Sequence, residues 1–344
     1  MSKGQLLRVT GLVALLAAAV LFPVVFSNPV YTNYGVYTLV FVAVASAWNV
    51  FSGFSGYISL GHAVFFGSGA YALGIAARDW HVTGVGVFGL LPLAAAVGAV
   101  IAVPFGLIAL RVRRHTFIVI TIAVFFIFQL MAYNFSFTGG STGVDAPFLP
   151  WQASTYNNPF YYITLACAVG MIALAWLIRR SRFGLQLRAI RDDEDRARGL
   201  GVHAMRVKLA AFALSGAVTA LVGAVWFFYL TQVQPPSAFD PLFDLSVVLM
   251  AFLGGLGTVS GPVLGALIIE PGQLWLTANA NGYISEILLG ALFLVAVLLV
   301  PRGIIPTAGE YLRRLTTRGR AAIPTASATV PQAPDPAPAQ EAQR

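Results

Sequence analysis

Four histidines, one cysteine and two lysines are the raw material for nucleophilic, metal or phosphate chemistry in this 344-residue chain. His62, His81, His115 and His203 fall in separate segments, without His-Glu-x-x-His or paired-cysteine spacing, so no metal site is expected. Cys167 stands alone in an apolar run; it has no mate for an intramolecular disulfide and reads as a small packing residue. Neither Lys3 nor Lys208 follows a Gly-x-x-x-x-Gly loop, so the chain has no phosphate-loop route to ATP. No catalytic residue and no cofactor is expected, and ATP-driven work would need another polypeptide. What is left is charge in apolar surroundings. Glu270, within Ile269-Glu270-Pro271, is the most deeply placed carboxylate; Glu286 lies near the start of the last apolar segment, and Asp240 and Asp244 are expected at the outer surface. An acid at membrane depth serves an ion relay or a hydrogen bond at a helix break, and Pro271 beside Glu270 keeps both open.

Between Arg179 and Lys208 the chain concentrates nine of its 21 Lys/Arg and four of its 13 Asp/Glu, in RRSRFGLQLRAIRDDEDRARGLGVHAMRVK. Phe183, Leu187, Ile190, Ala197 and Leu200 recur at helical spacing, interrupted by Glu194, so a helix could lay this narrow stripe in a groove. Arg191 with Asp195, Asp192 with Arg196 and Glu194 with Arg198 form i,i+4 pairs that support the helix, and Gly199 and Gly201 supply a stop. The spacing predicts one helix of about three turns, offered to a soluble partner. A solvated loop whose arginines only fix topology is the alternative, and it needs neither the stripe nor the acidic run.

Elements must hold these residues, and composition says of what kind. Hydrophobic residues make up 58% of the chain and charged ones 10%, with a mean hydropathy of +0.79, against about 25% charged in an ordinary soluble domain. The chain reads as an all-α integral membrane protein, a polytopic helical bundle. Apolar segments near 6–26, 35–51, 60–77, 85–110, 116–135, 159–178, 209–230, 243–256, 260–277 and 284–300 predict about ten spans. The run from Gly11 to Phe26 is expected to be an uncleaved first helix, because more spans follow it. With a cytoplasmic N-terminus, Arg111, Arg113, Arg114, the charged island and the Arg302 to Arg320 cluster all fall on the cytoplasmic side, Arg78 being the exception. The net charge of +8 is therefore a topology signal, not a nucleic-acid footprint, and membrane lipid is the expected surrounding.

Two Gly/Ser-rich breaks, Ser52 to His62 and Gly254 to Pro262, each join a descending to an ascending segment, one in each half of a pseudo-repeated arrangement. Irregular backbone at membrane depth survives only where it is buried or lines a cavity, and paired interruptions point to a substrate path. Gly53, Ser55, Gly56, Ser59, Gly61 and His62 in the first break, Gly254, Gly255, Gly257 and Thr258 in the second, and Glu270 are the candidate pathway residues. Tight turns with small-residue helix packing would explain the same breaks, and Gly67, Gly69 and Gly74 suit that packing role. The outer loops 136–158 and 231–244 could dock an extracytoplasmic partner, or their aromatics, with Tyr161 and Tyr162, could anchor at the interface. Residues 1–320 read as one transmembrane domain with a cytoplasmic loop at 179–208, and the Ala/Pro-rich stretch 321–344 as a disordered tail.

Arg188-Ala189-Ile190-Arg191-Asp192-Asp193-Glu194, followed by Ala197-Arg198-Gly199-Leu200-Gly201-Val202, resembles the cytoplasmic coupling loop of the permeases of branched-chain amino acid ABC importers. The runs Trp48 to Ala63, Gly67 to Tyr71, Gly254 to Ala266 and Pro301-Arg302-Gly303-Ile304 are similar to the LivM-type subunit of that family, over roughly residues 10–310. The resemblance implies a subunit that forms the translocation pathway for branched-chain or related amino acids. It implies a LivH-type permease partner, two cytoplasmic ATPases and an extracytoplasmic binding protein. The setting would be the cytoplasmic membrane of a bacterium or archaeon, with both termini cytoplasmic. Coupling to the ATPase would fall to Phe183, Leu187, Arg188, Ile190, Arg191, Asp193, Glu194, Ala197, Leu200 and Gly201. Asp195 and Gly199 depart from the pattern, where apolar residues or Ala are more usual. Urea and short-amide permeases of the same superfamily carry similar segments, so the substrate stays open. A stand-alone proton-coupled carrier working through Glu270 is the reading from a different class.

Overall fold

A computed structural model of the chain describes residues 3–26, 28–147, 149, 151–152, 155–279 and 303–307, with isolated positions between 284 and 294. The order is α1 (Lys3–Val25), α2 (Pro29–Trp48), one π-helical turn (Asn49–Gly53), α3 (His62–Asp79), a 3-10 stretch (Gly84–Leu90) running into α4 (Leu91–Ala109), and α5 (Arg114–Asn134). After β1 (Val144–Asp145) come α6 (Asn157–Arg180), α7 (Arg182–Asp192), α8 (Glu194–Gly199) and α9 (Ala204–Leu230). The chain continues through β2 (Gln232–Val233), α10 (Pro235–Ala238), α11 (Pro241–Gly254) and α12 (Gly261–Asn279). The last expected segment near 284–300 lies largely outside the described residues, as do Glu286, the arginines from Arg302 to Arg320, and the 321–344 stretch with its domain boundary.

Among the described residues six stretches are long and apolar enough to cross a membrane: Pro29–Gly53, Gly84–Ala109, Arg114–Asn134, Asn157–Arg180, Ala204–Leu230 and Pro235–Gly254. This is a multi-pass helical membrane protein with fewer qualifying spans than the ten expected. Two of the expected segments miss the length and apolarity of a span for a physical reason: α3 and α12 carry Gly, Ser, His, Gln and Glu among their apolar residues. Such residues lower hydropathy but serve helices packed within a bundle.

The helix starts follow their capping residues. Asn28 accepts from the Val30 amide ahead of α2, and Asp240 from the Leu242 amide ahead of α11, each with Pro in the first turn. The central helix is α9, whose 27 residues extend about 40 Å along α3 and α4, while α2 packs on α6, and α12 on α11 and α2. The α3 to α9 crossing needs glycine: a Cβ on Gly69 would collide with the Ala220 carbonyl, and one on Gly67 or Gly74 would press on Phe239 or Phe227. Phe51, Phe65, Phe105 and Phe212 fill the space beside this crossing, with ring centroids between 4.8 and 5.8 Å apart. Val100, Val119 and Leu130 face outward, as suits a lipid-facing surface.

The two outer loops are stitched together, because β1 and β2 pair antiparallel with Val144 opposite Val233. Their aromatics act as internal struts. Trp151 stacks on Phe88 at 6.2 Å, Tyr156 donates to the Phe228 and Tyr229 carbonyls, and Tyr161 on α6 donates to the Ala19 carbonyl of α1.

Candidate functional site

The two breaks expected from sequence are present, and they touch. In the first, the π turn ends at Gly53, Gly56 adopts a φ of +76°, and the chain then runs without helix to His62. Side chains satisfy this buried backbone: the Trp48 indole donates to the Ser59 carbonyl at 2.8 Å, the Ser59 amide to Ser52 Oγ at 3.3 Å, and the Leu60 amide to Thr121 Oγ1 at 3.1 Å. Ser55 donates to its own Phe51 carbonyl, and the tight fit of Gly61 against the Thr121 carbonyl leaves no room for a Cβ. In the second break Gly255 and Gly257 hold φ values of +127° and +76°, which glycine alone adopts freely. Gly254 packs on Gly261, and Thr258 Oγ1 accepts from the Gly261 amide at 3.0 Å to start α12.

One side chain bridges them. Asn49 is 1% exposed; its Nδ2 donates to the Thr258 carbonyl at 2.7 Å and its Oδ1 accepts from the Gly257 amide at 2.8 Å. A second bridge comes from the charged island. Arg191 Nη1 donates to the Gly53 carbonyl at 2.7 Å, and a Cβ on Gly257 would strike the same guanidinium. Arg114 closes the arrangement by donating to the Ile190 and Arg191 carbonyls at the end of α7, where carbonyls lack helical partners.

The island itself differs from the single helix expected. It is two helices, broken at Asp193, whose carboxylate accepts from the Asp195 and Arg196 amides and so starts α8. The Asp-Asp-Glu-Asp run is a start signal, with acids in the first turn of a new helix. The stripe also faces the chain's own core: Leu187, Ile190 and Ala197 are buried, Phe183 packs against them half-buried, and Leu200 alone of the stripe is turned out, 85% exposed. Apolar side chains beside a membrane bundle gain more by joining its core than by waiting in water. Of the expected charge pairs, Glu194 with Arg198 forms, Asp193 takes Arg196 at 3.0 Å, and Arg191 is drawn to the break instead of Asp195. Arg188 donates to the Gly184 and Arg179 carbonyls, and Gly201 supplies the stop with a φ of +87°.

Glu194 anchors the island to the bundle. Its carboxylate accepts from Tyr57 Oη at 2.5 Å, Lys208 Nζ at 2.8 Å and Arg198 Nη2 at 2.5 Å. Lys208 is 1% exposed and also lies 4.2 Å from the centre of the Tyr57 ring. Burial alone would raise the Glu194 pKa. The hydrogen bonds from Lys208 and Tyr57, with the charges of Lys208 and Arg198, outweigh it and hold the carboxyl below its ordinary value. A polar cleft of about 580 Å³ opens beside this network, lined in part by Arg111, Arg113, Asp193 and Asp195.

The start of α3 corrects another expectation. Asp244 does not sit at the outer surface but is 4% exposed, and its Oδ1 accepts from the Ala63 amide at 3.0 Å. Gly61 provides no side-chain cap, so α3 takes its capping carboxylate from α11. His62 is buried beside it: Ser215 gives its one hydroxyl proton to the Ala47 carbonyl, so His62 Nε2 donates to Ser215 Oγ at 2.8 Å and Nδ1 accepts from Ser59 Oγ at 3.1 Å. Glu270 stands apart from this junction, 3% exposed on α12. Of the residues joined here, Asn49, Tyr57, Arg114, Lys208 and Asp244 were not among the candidate pathway or coupling residues. Their signals were faint: a lone Asn in an apolar run, one of two lysines, and an arginine already accounted for by topology.

Residues 30–297 match the family described as branched-chain amino acid transport system / permease component. The chain belongs to that permease family. The permease is 26% identical to the high-affinity branched-chain amino acid transport system permease protein LivM of Escherichia coli K12, over 88% of this chain and 76% of that one. It is also 26% identical to LivH of the same organism, over 77% of this chain and 91% of the relative, so its relatives include two kinds of permease protein. The L-arabinose transport system permease protein AraH of E. coli is 28% identical over 53% of this permease and 56% of its own length. No solved structure matches.

Proposed function

We propose that the chain is a LivM-type permease subunit that forms the translocation pathway of an ABC importer for branched-chain amino acids. It pairs with a LivH-type permease, is driven by two separate ATPases on the cytoplasmic side, and receives substrate from an extracytoplasmic binding protein. It lies in the cytoplasmic membrane with the N-terminus, the α7 to α8 island and the tail on the inner side, as the arginine distribution favours. The observation that carries the reading is the reach of Arg191 from the island to the Gly53 carbonyl, against Gly257 of the other break. A partner that displaces the island thereby moves the lower ends of α2, α11 and α12 together. The proton-coupled alternative gives way to the family match.

The outward residues of the island suit an ATPase cleft. Leu185 and Leu200 are 57% and 85% exposed amid charge, while Leu187, Ile190 and Ala197 fix the island to its own bundle. Co-purification with the neighbouring gene products tests this. The tagged chain brings down an ATPase, and Leu200→Asp releases the ATPase while changing the stability of the chain by no more than about 0.5 kcal/mol, as expected for an exposed position. A wild-type chain that never recovers an ATPase overturns the reading. Uptake of labelled leucine against urea by the reconstituted complex separates the two substrate classes.

A further inference from the structure

A cavity of about 320 Å³ lies between α2, α3, α9, α11 and α12, well above the island. One side is aromatic: Phe66 lies 4.4 Å from Phe243, Phe243 lies 5.2 Å from Phe41, and Trp226 closes the wall 6.5 Å from Phe66. The other side is polar and incomplete. Glu270 is 3% exposed, and its Oε2 has no hydrogen-bond partner among the described residues; neither has Oε1 of Gln273, one helical turn further along α12. Buried carboxylates are ordinarily hydrogen-bonded or paired with a cation. A Glu left open beside a cavity of this size is therefore a place where a cationic group of a ligand would sit.

We propose that this cavity holds the substrate in transit, with Glu270 receiving the ammonium group of an aliphatic amino acid and Phe41, Phe66, Trp226 and Phe243 enclosing its branched side chain. The proposal rests on the transport reading above and narrows it: the site selects an amine joined to an aliphatic chain, which urea lacks. Gln273 accepts a second ammonium hydrogen. The cavity is walled by α2, α11 and α12, whose far ends are the two breaks joined by Asn49 and Arg191. Motion of the island thus reaches the walls of the site through the helices themselves.

The test uses the complete complex in nanodiscs, without binding protein, and radiolabelled leucine. Leucine binds saturably; 3-methylbutan-1-amine, which keeps the ammonium group, competes, and 4-methylpentanoate, which lacks it, does not. Glu270→Gln weakens leucine binding about ten- to hundredfold, the span expected for one charged hydrogen bond, while the ATPases still co-purify. The proposal is overturned by equal competition from the acid, by wild-type affinity in Glu270→Gln, or by loss of the subunits in that variant, which would assign Glu270 to a partner's cation. ATP-driven leucine uptake by the wild-type complex with its binding protein is measured in parallel. Uptake without saturable binding sinks the site alone, whereas absence of uptake sinks the transport reading.

Discussion

Arg191→Ala should separate ATP hydrolysis from transport. The substitution removes the 2.7 Å bond from Nη1 to the Gly53 carbonyl and the guanidinium lying against Gly257. A hydrogen bond from a charged donor is worth about 1.5–3 kcal/mol. Expressed as a coupling free energy between island and breaks, that is about 10- to 150-fold in the equilibrium one imposes on the other. The bulk of the island stays in place, because Leu187, Ile190 and Ala197 keep their burial and Glu194 keeps Tyr57 and Lys208. In proteoliposomes, leucine carried per ATP hydrolysed should therefore fall by about tenfold or more, with hydrolysis and subunit recovery close to wild type. Arg191→Lys, which keeps one donor but not the planar fork, should fall between the two. An unchanged ratio in Arg191→Ala refutes the latch. Loss of the ATPases from the complex refutes it too, since Arg191 would then belong to docking.

Glu194→Gln leaves Lys208, 1% exposed, without its anion, and breaking such a buried pair costs about 3 kcal/mol or more, read as a lower melting temperature of the purified chain. The pH dependence has a definite sign. A carboxyl held below its ordinary value of 4.5 contributes stability that is complete above that value and drains away as pH falls through the depressed one. The gap between wild type and Glu194→Gln should be constant at pH values well above 4.5 and shrink as pH falls below that ordinary value; a gap that widens on acidification contradicts the network. Asn49→Ala leaves the Thr258 carbonyl and the Gly257 amide unpaired, at about 1–3 kcal/mol for each group left buried. Protease accessibility of the second break should rise, and an unaltered cleavage pattern would show that Asn49 does not hold the breaks together.

Hydropathy was enough to find the long helices of the described residues, though not to establish ten spans, and the glycine clusters were enough to find both breaks. Their meeting was not legible. Asn49 reaches Thr258 across 209 positions, and no local pattern marks a contact of that separation. The island misled for a different reason. Its stripe spacing was right through Ile190, but Asp193 restarts the helix, so Leu200 no longer shares a face with Leu187. The same stripe reads equally well as a surface for a partner or for the chain's own core, and burial decides for the core. Asp244 was misplaced because its partner, the Ala63 amide, lies 181 residues away in sequence and no local pattern announces the pairing.

That borrowed cap has a consequence for how the chain is made. The Ala63 amide waits for a carboxylate that lies 181 residues later, and at about 5–20 residues per second the ribosome takes roughly ten to forty seconds to deliver it. For that interval the opening of α3 has no acid to answer it, in a setting where water is scarce. The first half of the chain therefore cannot complete this helix start as it emerges; the cap is made only when α11 has been synthesised.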